Sequence, residues 1–236
     1  MAKRTYISAK GKKLAEARRK KAIILLVIAG VAALTLFIVG FILLSGKKDK
    51  APEPVEISAG DTSEKELSLE GAPPIDVQLL TPNEYSRPQI KLQEIKGVVI
   101  HYLANPGSSA QDNRNYFENL KDTHTTKASS HFIIGLDGEI IQCIPTSEIA
   151  YTSNERNSDT VSIENCHPDE TGEFTTATYD SLVELTGWLC WRSGLNSSDV
   201  IRHHDVTGKI CPKYFVDHED AWQQFLMDVQ SNIDGR

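Results

Sequence analysis

The stretch SHFIIGLDGEIIQCIP (residues 130–145) decides the fold class. It consists of two apolar runs joined by Asp137-Gly138, and an Asp-Gly pair between such runs is a strong signal for a β-hairpin. Short runs rich in β-branched and apolar residues stand before and after it and are predicted as strands. These runs are KGVVIHY (96–102), DTVSIENC (159–166) and DVIRH (199–203).

Segments with apolar residues at helical spacing separate or follow these strands, at residues 110–120, 178–194 and 218–233. Gly194 stands where the second helix should end, because glycine readily adopts the left-handed conformation of a helix C-cap. Strands and helices mixed in this way, with a hairpin in the middle, predict an α/β fold. We expect a single mixed central β-sheet flanked by helices, in one domain over residues 81–236.

Residues 22–44 (AIILLVIAGVAALTLFIVGFILL) contain no charged side chain. As a helix this segment would be about 34 Å long, enough to cross a hydrocarbon core of about 30 Å. We therefore predict one N-terminal transmembrane helix that acts as a signal anchor. A cleaved signal peptide is less favoured, because its apolar region would be shorter. Nine Lys/Arg precede the segment and three follow it closely, which predicts a single pass with a basic cytoplasmic tail at 1–21 and the domain outside.

Residues 45–80 are rich in Pro, Glu, Ser and Lys and have little apolar periodicity, which predicts a flexible linker. Charge is unevenly distributed around it. Residues 1–50 hold twelve of the 25 Lys/Arg and two of the 32 Asp/Glu, which leaves thirteen and thirty for residues 51–236. An acidic globular part argues against nucleic acid as a partner, because phosphate binding needs a basic face.

Potential metal ligands follow two of the predicted strands. His101 ends the strand GVVIH, one of His203 and His204 ends VIRH, and Cys211 follows across a loop. Zinc prefers histidine nitrogen and cysteine sulfur, and a catalytic zinc site supplies three protein ligands and one open position. Each of these residues alone is more commonly a surface or core residue, so the spacing alone leaves a metal site open.

Four motifs occur together in the order and spacing of a known family. They are GVVIHY (97–102), SSHFIIGLDGEIIQ (129–142), SIENCH (162–167) and RHHDVTGKICP (202–212). Together they resemble the zinc-dependent N-acetylmuramoyl-L-alanine amidases, whose superfamily includes amidase-type phage lysozymes and animal peptidoglycan recognition proteins. The resemblance covers roughly residues 80–230, and the last motif is the most specific.

The resemblance implies a Zn²⁺ cofactor bound by His101, His203 and Cys211. The family's zinc histidine stands two residues before the aspartate of the last motif, which selects His203 and leaves His204 at a variable position. Asp205 is then expected to order the loop. A metal-bound thiolate is excluded from disulfides. The other three cysteines lie on the predicted outer side, where bridges can form, and the spacing does not decide their pairing: Cys143, Cys166 and Cys190.

The resemblance also implies two catalytic residues, Glu164 and Lys209. Glu164 would move the proton between the attacking water and the leaving amine, and Lys209 would stabilise the oxyanion. From the residues alone, strand alternation places Glu164 on the face opposite Ile163, a pattern equally typical of an exposed strand. Lys209 alone would be interpreted as a surface lysine.

One position departs from the family pattern. Phage lysozymes and animal relatives carry Tyr where this sequence has Ser130, so we expect no tyrosine in this site and assign the proton transfer to Glu164. His131, the next residue, is left as a candidate contact to a metal ligand or to substrate. The remaining histidines are interpreted as structural or surface residues: His124, His167 and His218.

The sequence thus predicts a membrane-anchored zinc hydrolase whose extracytoplasmic domain faces the cell wall, as in a Gram-positive-type bacterium. By resemblance, it cleaves the amide bond between N-acetylmuramic acid and L-alanine in peptidoglycan. The alternative is a non-catalytic peptidoglycan-binding module of the same fold. Such modules commonly lose the third metal ligand, so the presence of Cys211 favours the enzyme. A third alternative is a structural anchor with a vestigial site, which would bind no zinc.

Overall fold

The computed structural model describes residues 68–236, which form one compact unit around a six-stranded sheet. The strands are β1 (Asp76–Val77), β2 (Val98–Ile100), β3 (Phe132–Ile134), β4 (Ile140–Gln142), β5 (Val161–Asn165) and β6 (Val200–Arg202). The α-helices are α1 (Ala110–Thr123), α2 (Thr176–Ser193), α3 (His203–Thr207), α4 (Lys213–Asp217) and α5 (Glu219–Asp234). Short 3-10 helices lie at Asn154–Ser158 and Ser197–Asp199.

The sheet is mixed, as predicted, with the strand order β1-β4-β3-β5-β2-β6. Its parallel half runs through β3, β5, β2 and β6, and the β3–β4 hairpin supplies the antiparallel pair. Gly138, at φ +84°, lies in the hairpin turn, where the left-handed conformation favours glycine. The Asp-Gly signal therefore marks the turn that joins this antiparallel pair.

One face of the sheet packs against the two long helices α2 and α5. Alternate strand residues such as Val98, Ile100 and Ile163 join Trp188 of α2 and Phe225 of α5 in one buried cluster. A second cluster lies on the other face, where α1 packs on the hairpin strands through Phe117 and Leu120. Because α1 contacts β3 and β4, it does not cover the same face at the β5-β2-β6 end. That end carries the polar residues of interest.

The helix boundaries follow local capping chemistry. The side chain of Ser109 accepts a hydrogen bond from Asp112 N–H at the start of α1, which satisfies a backbone donor left free at the helix end. Thr175 caps α2 in the same way, and Gly194, at φ +69°, ends it as predicted. In α5 the buried residues Trp222, Phe225 and Val229 recur at helical spacing.

The folded domain begins before the predicted boundary at residue 81. Residues 76–77, assigned from sequence to the linker 45–80, form β1 and pair with β4, and Leu80 is buried. Arg114 on α1 donates hydrogen bonds to the carbonyl groups of Gln78 and Leu79. Composition missed this segment because its order comes from pairing with the domain and not from its own periodicity.

The remaining N-terminal predictions fall on residues outside the described part of the chain. These are the tail 1–21, the span 22–44 and the linker up to residue 67. Within residues 68–236, no helix combines the length and the apolar character that a bilayer crossing requires.

Candidate metal centre

Three neighbouring parallel strands present polar side chains at the same level of the sheet. Ile100 of β2 pairs with Ile163 of β5 and with Arg202 of β6. Glu164 is the next residue on β5, and His101 and His203 directly follow the ends of β2 and β6, so the three residues lie side by side at this edge of the sheet. Adjacent strands lie about 4.8 Å apart, and the rings of His101 and His203 have centroids 4.7 Å apart.

A loop after α3 brings the third candidate ligand to this row. Helix α3 ends at Gly208, whose φ of +76° turns the chain back. His204 N–H then donates to the Cys211 carbonyl oxygen at 2.9 Å, which closes the loop. Cys211 is consequently buried, and its Sγ lies 3.8 Å from His101 Nδ1.

His101, His203 and Cys211 form a group whose ligand atoms all lie within 4.8 Å of one another. Tetrahedral zinc, with bonds of about 2.0–2.3 Å, holds its ligand atoms roughly 3.3–3.8 Å apart, so a small adjustment would complete the geometry. Two histidine nitrogens and one cysteine sulfur leave a fourth position open, which is the donor set of a catalytic zinc site. The residues present therefore fit a zinc ion.

The surroundings keep both histidines in the form that binds metal. Burial lowers the pKa of His101 well below 6.5, and the nearby His203 and the positive charge of Lys209 lower it further. Burial and Lys209 also lower the pKa of His203. Both imidazoles are therefore neutral at pH 7, with a lone pair available for coordination.

The thiol of Cys211 responds in the opposite direction. Burial raises its pKa to about 12, and the negative charge of Glu164 contributes to the rise. Without a cation the sulfur is thus a protonated thiol. A coordinated divalent cation deprotonates a cysteine ligand outright, so the binding of metal here would release a proton.

Glu164 is a carboxylate that the fold leaves partly unsatisfied. Its Oε2 atom is buried and has no hydrogen-bond partner within the described part of the chain. Burial raises the pKa of Glu164 to about 8, although the charge of Lys209 opposes the rise. A carboxyl group with such a pKa can both take up and release a proton near neutral pH, as general acid–base chemistry requires.

Lys209 lies on the same loop as Cys211, with an exposed side chain. Its positive charge lowers the pKa values of Glu164, His101 and His203. The structure clusters His101, His203 and Cys211, places Glu164 on the strand next to His101, and sets Lys209 two residues before Cys211 on the same loop.

The neighbouring His204 and Asp205 have separate roles in the loop. The Nδ1 atom of His204 lies 3.0 Å from the Lys209 carbonyl oxygen, so this ring braces the loop and is not one of the three clustered ligands. Asp205 accepts a hydrogen bond from Arg202 N–H at 2.8 Å and forms an ion pair with the Arg202 guanidinium. This is the ordering role expected for Asp205.

His131 is buried in a separate hydrogen-bond network. Ser162 N–H donates to its Nδ1 at 3.0 Å, and its Nε2 lies 2.9 Å from the Glu148 carbonyl oxygen. Ser130, which replaces the tyrosine of some relatives, donates to the Ser162 carbonyl oxygen in the same network. Both ring nitrogens of His131 are thus occupied by the protein, and it is not one of the three clustered ligands.

The other histidines lie outside the group of three ligands as well. His124 ends α1 and stacks on Tyr85, His167 contacts the Asp169 carbonyl oxygen, and His218 packs against Tyr214. The four cysteines are free and buried.

Sequence reasoning missed two residues that contact the histidines from a distant loop. Ser153 Oγ lies 3.1 Å from His101 Nε2, and Asn154 Oδ1 lies 3.2 Å from His203 Nε2. The surrounding letters TSNERNSD have the composition of an ordinary polar loop. Since the contacts span 52 and 49 residues, no local pattern could have indicated them.

A mixed α/β domain in which two histidines and a cysteine converge beside a carboxylate has the ligand set of a catalytic zinc site. Comparison with known proteins makes the assignment specific. The family model described as N-acetylmuramoyl-L-alanine amidase matches residues 91–214. The chain belongs to this family.

The curated relatives include N-acetylmuramoyl-L-alanine amidases from two Bacillus species. The N-acetylmuramoyl-L-alanine amidase CwlL of Bacillus licheniformis is 35% identical over an alignment of 162 positions that covers 63% of this chain and 44% of CwlL. The N-acetylmuramoyl-L-alanine amidase BlyA of Bacillus subtilis (strain 168) is 30% identical over an alignment of 175 positions that covers 65% of this chain and 46% of BlyA. The chain thus matches less than half the length of these relatives.

Solved structures support the fold. PlyL superimposes with a TM-score of 0.56 at 22% identity, over 67% of this chain and 98% of PlyL. The catalytic domain of XlyA gives a TM-score of 0.54 at 24% identity, over 65% of this chain and 99% of that domain. At this level of identity the two comparisons bear on the fold alone.

Proposed function

We propose that this chain is a zinc-dependent, membrane-anchored peptidoglycan amidase. It hydrolyses the amide bond between N-acetylmuramic acid and the L-alanine of the stem peptide. The observation that carries the proposal is the convergence of His101, His203 and Cys211, with Glu164 on the adjacent strand. Family membership supports the substrate class.

Glu164 carries out the proton transfers in this proposal. As a carboxylate it would accept a proton from the attacking water, and as a carboxylic acid it would deliver that proton to the leaving amine nitrogen. The buried Oε2 atom without a partner provides the acceptor for this transfer. A pKa raised to about 8 by burial lowers the cost of the protonated form.

Amide hydrolysis also requires that the charge developing on the carbonyl oxygen be stabilised. Lys209 provides a positive charge at the same site, where it would stabilise the negative charge that develops on that oxygen. Zinc, when bound by the three ligands, supplies Lewis acidity toward the carbonyl and the attacking water. His101 and His203 hold their ligand nitrogens in place because the sheet fixes both strands.

A peptidoglycan-binding module without activity is the competing function. It needs neither a proton acceptor nor a cation beside the metal ligands, and both are present here in Glu164 and Lys209. A buried carboxylate without a hydrogen-bond partner is costly to fold, and a binding module would gain nothing from that cost. The site geometry therefore favours the enzyme.

The anchoring part of the proposal rests on the uncharged segment 22–44 and the basic residues that precede it. It places the domain on the wall side of the membrane, beside its substrate. Protease treatment of cells stripped of their wall tests this topology. We expect the domain to be degraded while a tag at the N-terminus is protected, and protection of both ends would contradict the proposal.

Activity is tested with the full chain, purified in detergent, on purified peptidoglycan. New L-alanine amino termini should appear, should disappear with a chelator and should return with zinc. Glu164→Gln should bind zinc as tightly as the parent chain but lose turnover by about 10² to 10⁴-fold. Peptidoglycan that is bound but never cut would establish the binding module instead.

A further inference from the structure

Two residues of the loop around the 3-10 helix Asn154–Ser158 contact both candidate histidine ligands on the side away from Cys211. The Nδ1 atom of His101 lies 3.8 Å from Cys211 Sγ, while its Nε2 atom lies 3.1 Å from Ser153 Oγ. Ser153 is 1% exposed, so water does not compete for this contact. Nδ1 of His101 therefore faces the candidate metal ligand Cys211, and its Nε2 faces the loop.

His203 repeats the arrangement with the next residue of the loop. Its Nε2 atom lies 3.2 Å from Asn154 Oδ1. A side-chain amide oxygen only accepts hydrogen bonds, so Nε2 must carry the proton and donate it. The neutral imidazole then keeps its lone pair on Nδ1, which becomes the nitrogen that can coordinate a metal.

The loop is built to hold these two side chains in place. Asn157 Oδ1 accepts hydrogen bonds from Thr152 N–H at 3.0 Å and from Ser153 N–H at 2.6 Å. Asn154 adopts a φ of +53°, in the left-handed region that non-glycine residues rarely occupy. Such a conformation persists only where the surroundings enforce it, and here it aims the amide at His203.

We propose that Ser153 and Asn154 are positioning residues: Asn154 fixes the tautomer and ring orientation of His203, Ser153 fixes the ring orientation of His101, and both rings then present Nδ1 to the metal. The inference rests on the proposed zinc site and extends it to a loop that supplies no ligand. Partners of this kind commonly change metal affinity by about 10 to 100-fold when they are removed.

The test measures zinc affinity of the full chain by competition with a chromophoric chelator, together with the visible spectrum of the Co²⁺-substituted protein. Asn154→Gly removes the amide but suits the positive φ, so the backbone should keep its course. We expect about tenfold weaker zinc binding and altered Co²⁺ bands. Ser153→Ala should have an equal or larger effect, because its contact is fully buried.

Asn154→Asp is the conservative variant, since it retains an acceptor oxygen at the same place and tolerates positive φ. It should bind zinc at least as tightly as the parent chain. Ser158→Ala is the matched control on the same 3-10 helix, because Ser158 is exposed and, among residues 68–236, its Oγ hydrogen-bonds only to the Glu155 carbonyl oxygen, at 3.4 Å. It should leave both readouts unchanged.

The melting temperature of each metal-free variant separates positioning from a loss of fold. The inference is supported if Asn154→Gly keeps the metal-free melting temperature of the parent chain but binds zinc more weakly. Asn154→Asp should then bind zinc at least as tightly as the parent chain. Equal zinc affinity in the parent chain, Ser153→Ala and Asn154→Gly overturns it while leaving the proposed function intact. A parent chain that binds no zinc overturns the proposed function itself.

Discussion

The domain contains two buried histidine clusters, and they differ in how completely the protein satisfies them. Around His131 both ring nitrogens have protein partners, Ser162 and the Glu148 carbonyl group. Around His101 and His203, one nitrogen of each ring meets the loop, while the other faces Cys211 or the open centre of the cluster. Nearby, Glu164 retains a buried oxygen without a partner.

This difference teaches which observation distinguishes a candidate site from a structural network. Burial and histidine content are common to both clusters, and burial lowers the pKa of the histidines in both. In the candidate site, His101, His203 and Cys211 converge, with ligand atoms within 4.8 Å of one another. A convergent set of metal-ligand types therefore distinguishes the candidate site from the network around His131.

The largest expected effect comes from the paired histidines. His203→Ala removes a ligand and should abolish zinc binding, with activity reduced by at least roughly a thousandfold. His204→Ala should retain zinc and activity within a few-fold, and should lower the free energy of unfolding by about 1 kcal/mol through the lost contact to Lys209. Zinc titration and turnover assays on both variants make the comparison. Equal losses in the two would show that the register assignment is wrong.

Removal of the loop cation should have the next largest effect. Lys209→Ala is expected to lower kcat by about 10² to 10³-fold with zinc affinity nearly unchanged, because it removes charge stabilisation but no ligand. Lys213→Ala, which removes a cation paired with Asp217 a few residues further on, serves as the control. Steady-state kinetics on both variants measure the effect, and a large rise in KM at constant kcat would instead assign Lys209 to substrate binding.

For the cluster around His131, whose ring nitrogens both have protein partners, we expect a pH-dependent free energy of unfolding and no metal binding. Burial lowers the pKa of His131 from 6.5 to about 4. Its stabilising neutral form is therefore fully present above 6.5, and stability should fall as pH drops toward 4, by at most about 3 kcal/mol. Urea unfolding of the metal-free chain between pH 4 and 7 measures this slope. His131→Gln should reduce it, while the buried His101 and His203 keep part of the slope in the metal-free chain. An unchanged slope would exclude a contribution from His131.

The smallest expected effect concerns Glu118, another polar group whose partners all come from the protein. Burial alone would raise its pKa, but hydrogen bonds from Lys121 and Thr81 outweigh it and hold the value at about 2. This carboxylate stabilises the fold above pH 4.5, and the contribution is lost as pH falls through about 2. Glu118→Gln should cost about 1–2 kcal/mol at pH 7. Denaturant unfolding at pH 7 and pH 3 should show that cost shrinking at the lower pH.

Much of the fold could be predicted because its signals are local. The Asp137-Gly138 turn, the helical periodicity and Gly194 each act within a few residues, and the structure confirms the elements they indicate. Strand β1 could not be predicted, because a two-residue strand owes its order to its partner β4. The short helices α3 and α4 could not be predicted either, because five residues are too few to show a helical repeat of apolar residues.

The residues of the candidate site likewise divide into those with a local sequence signal and those placed only by the tertiary fold. His101, Glu164 and His203 could be proposed because each follows or lies within a recognisable strand, and the family motifs supplied their register. Ser153 and Asn154 could not, since only the tertiary fold brings their loop to β2 and α3. Burial of Glu164 is likewise a property of the assembled sheet face and not of the motif SIENC.

The shared register of β2 and β6 has a consequence for how such a site can be altered. Strand β2 ends just before His101 and β6 ends just before His203, so the spacing of adjacent strands, about 4.8 Å, keeps the two histidines close together. Cys211 comes from a loop that turns at Gly208 and can change without disturbing that spacing. Substitution at residue 211 thus adjusts the softness of the ligand set at a single position, and an engineered Cys211→Asp should shift metal preference toward harder cations on the same scaffold.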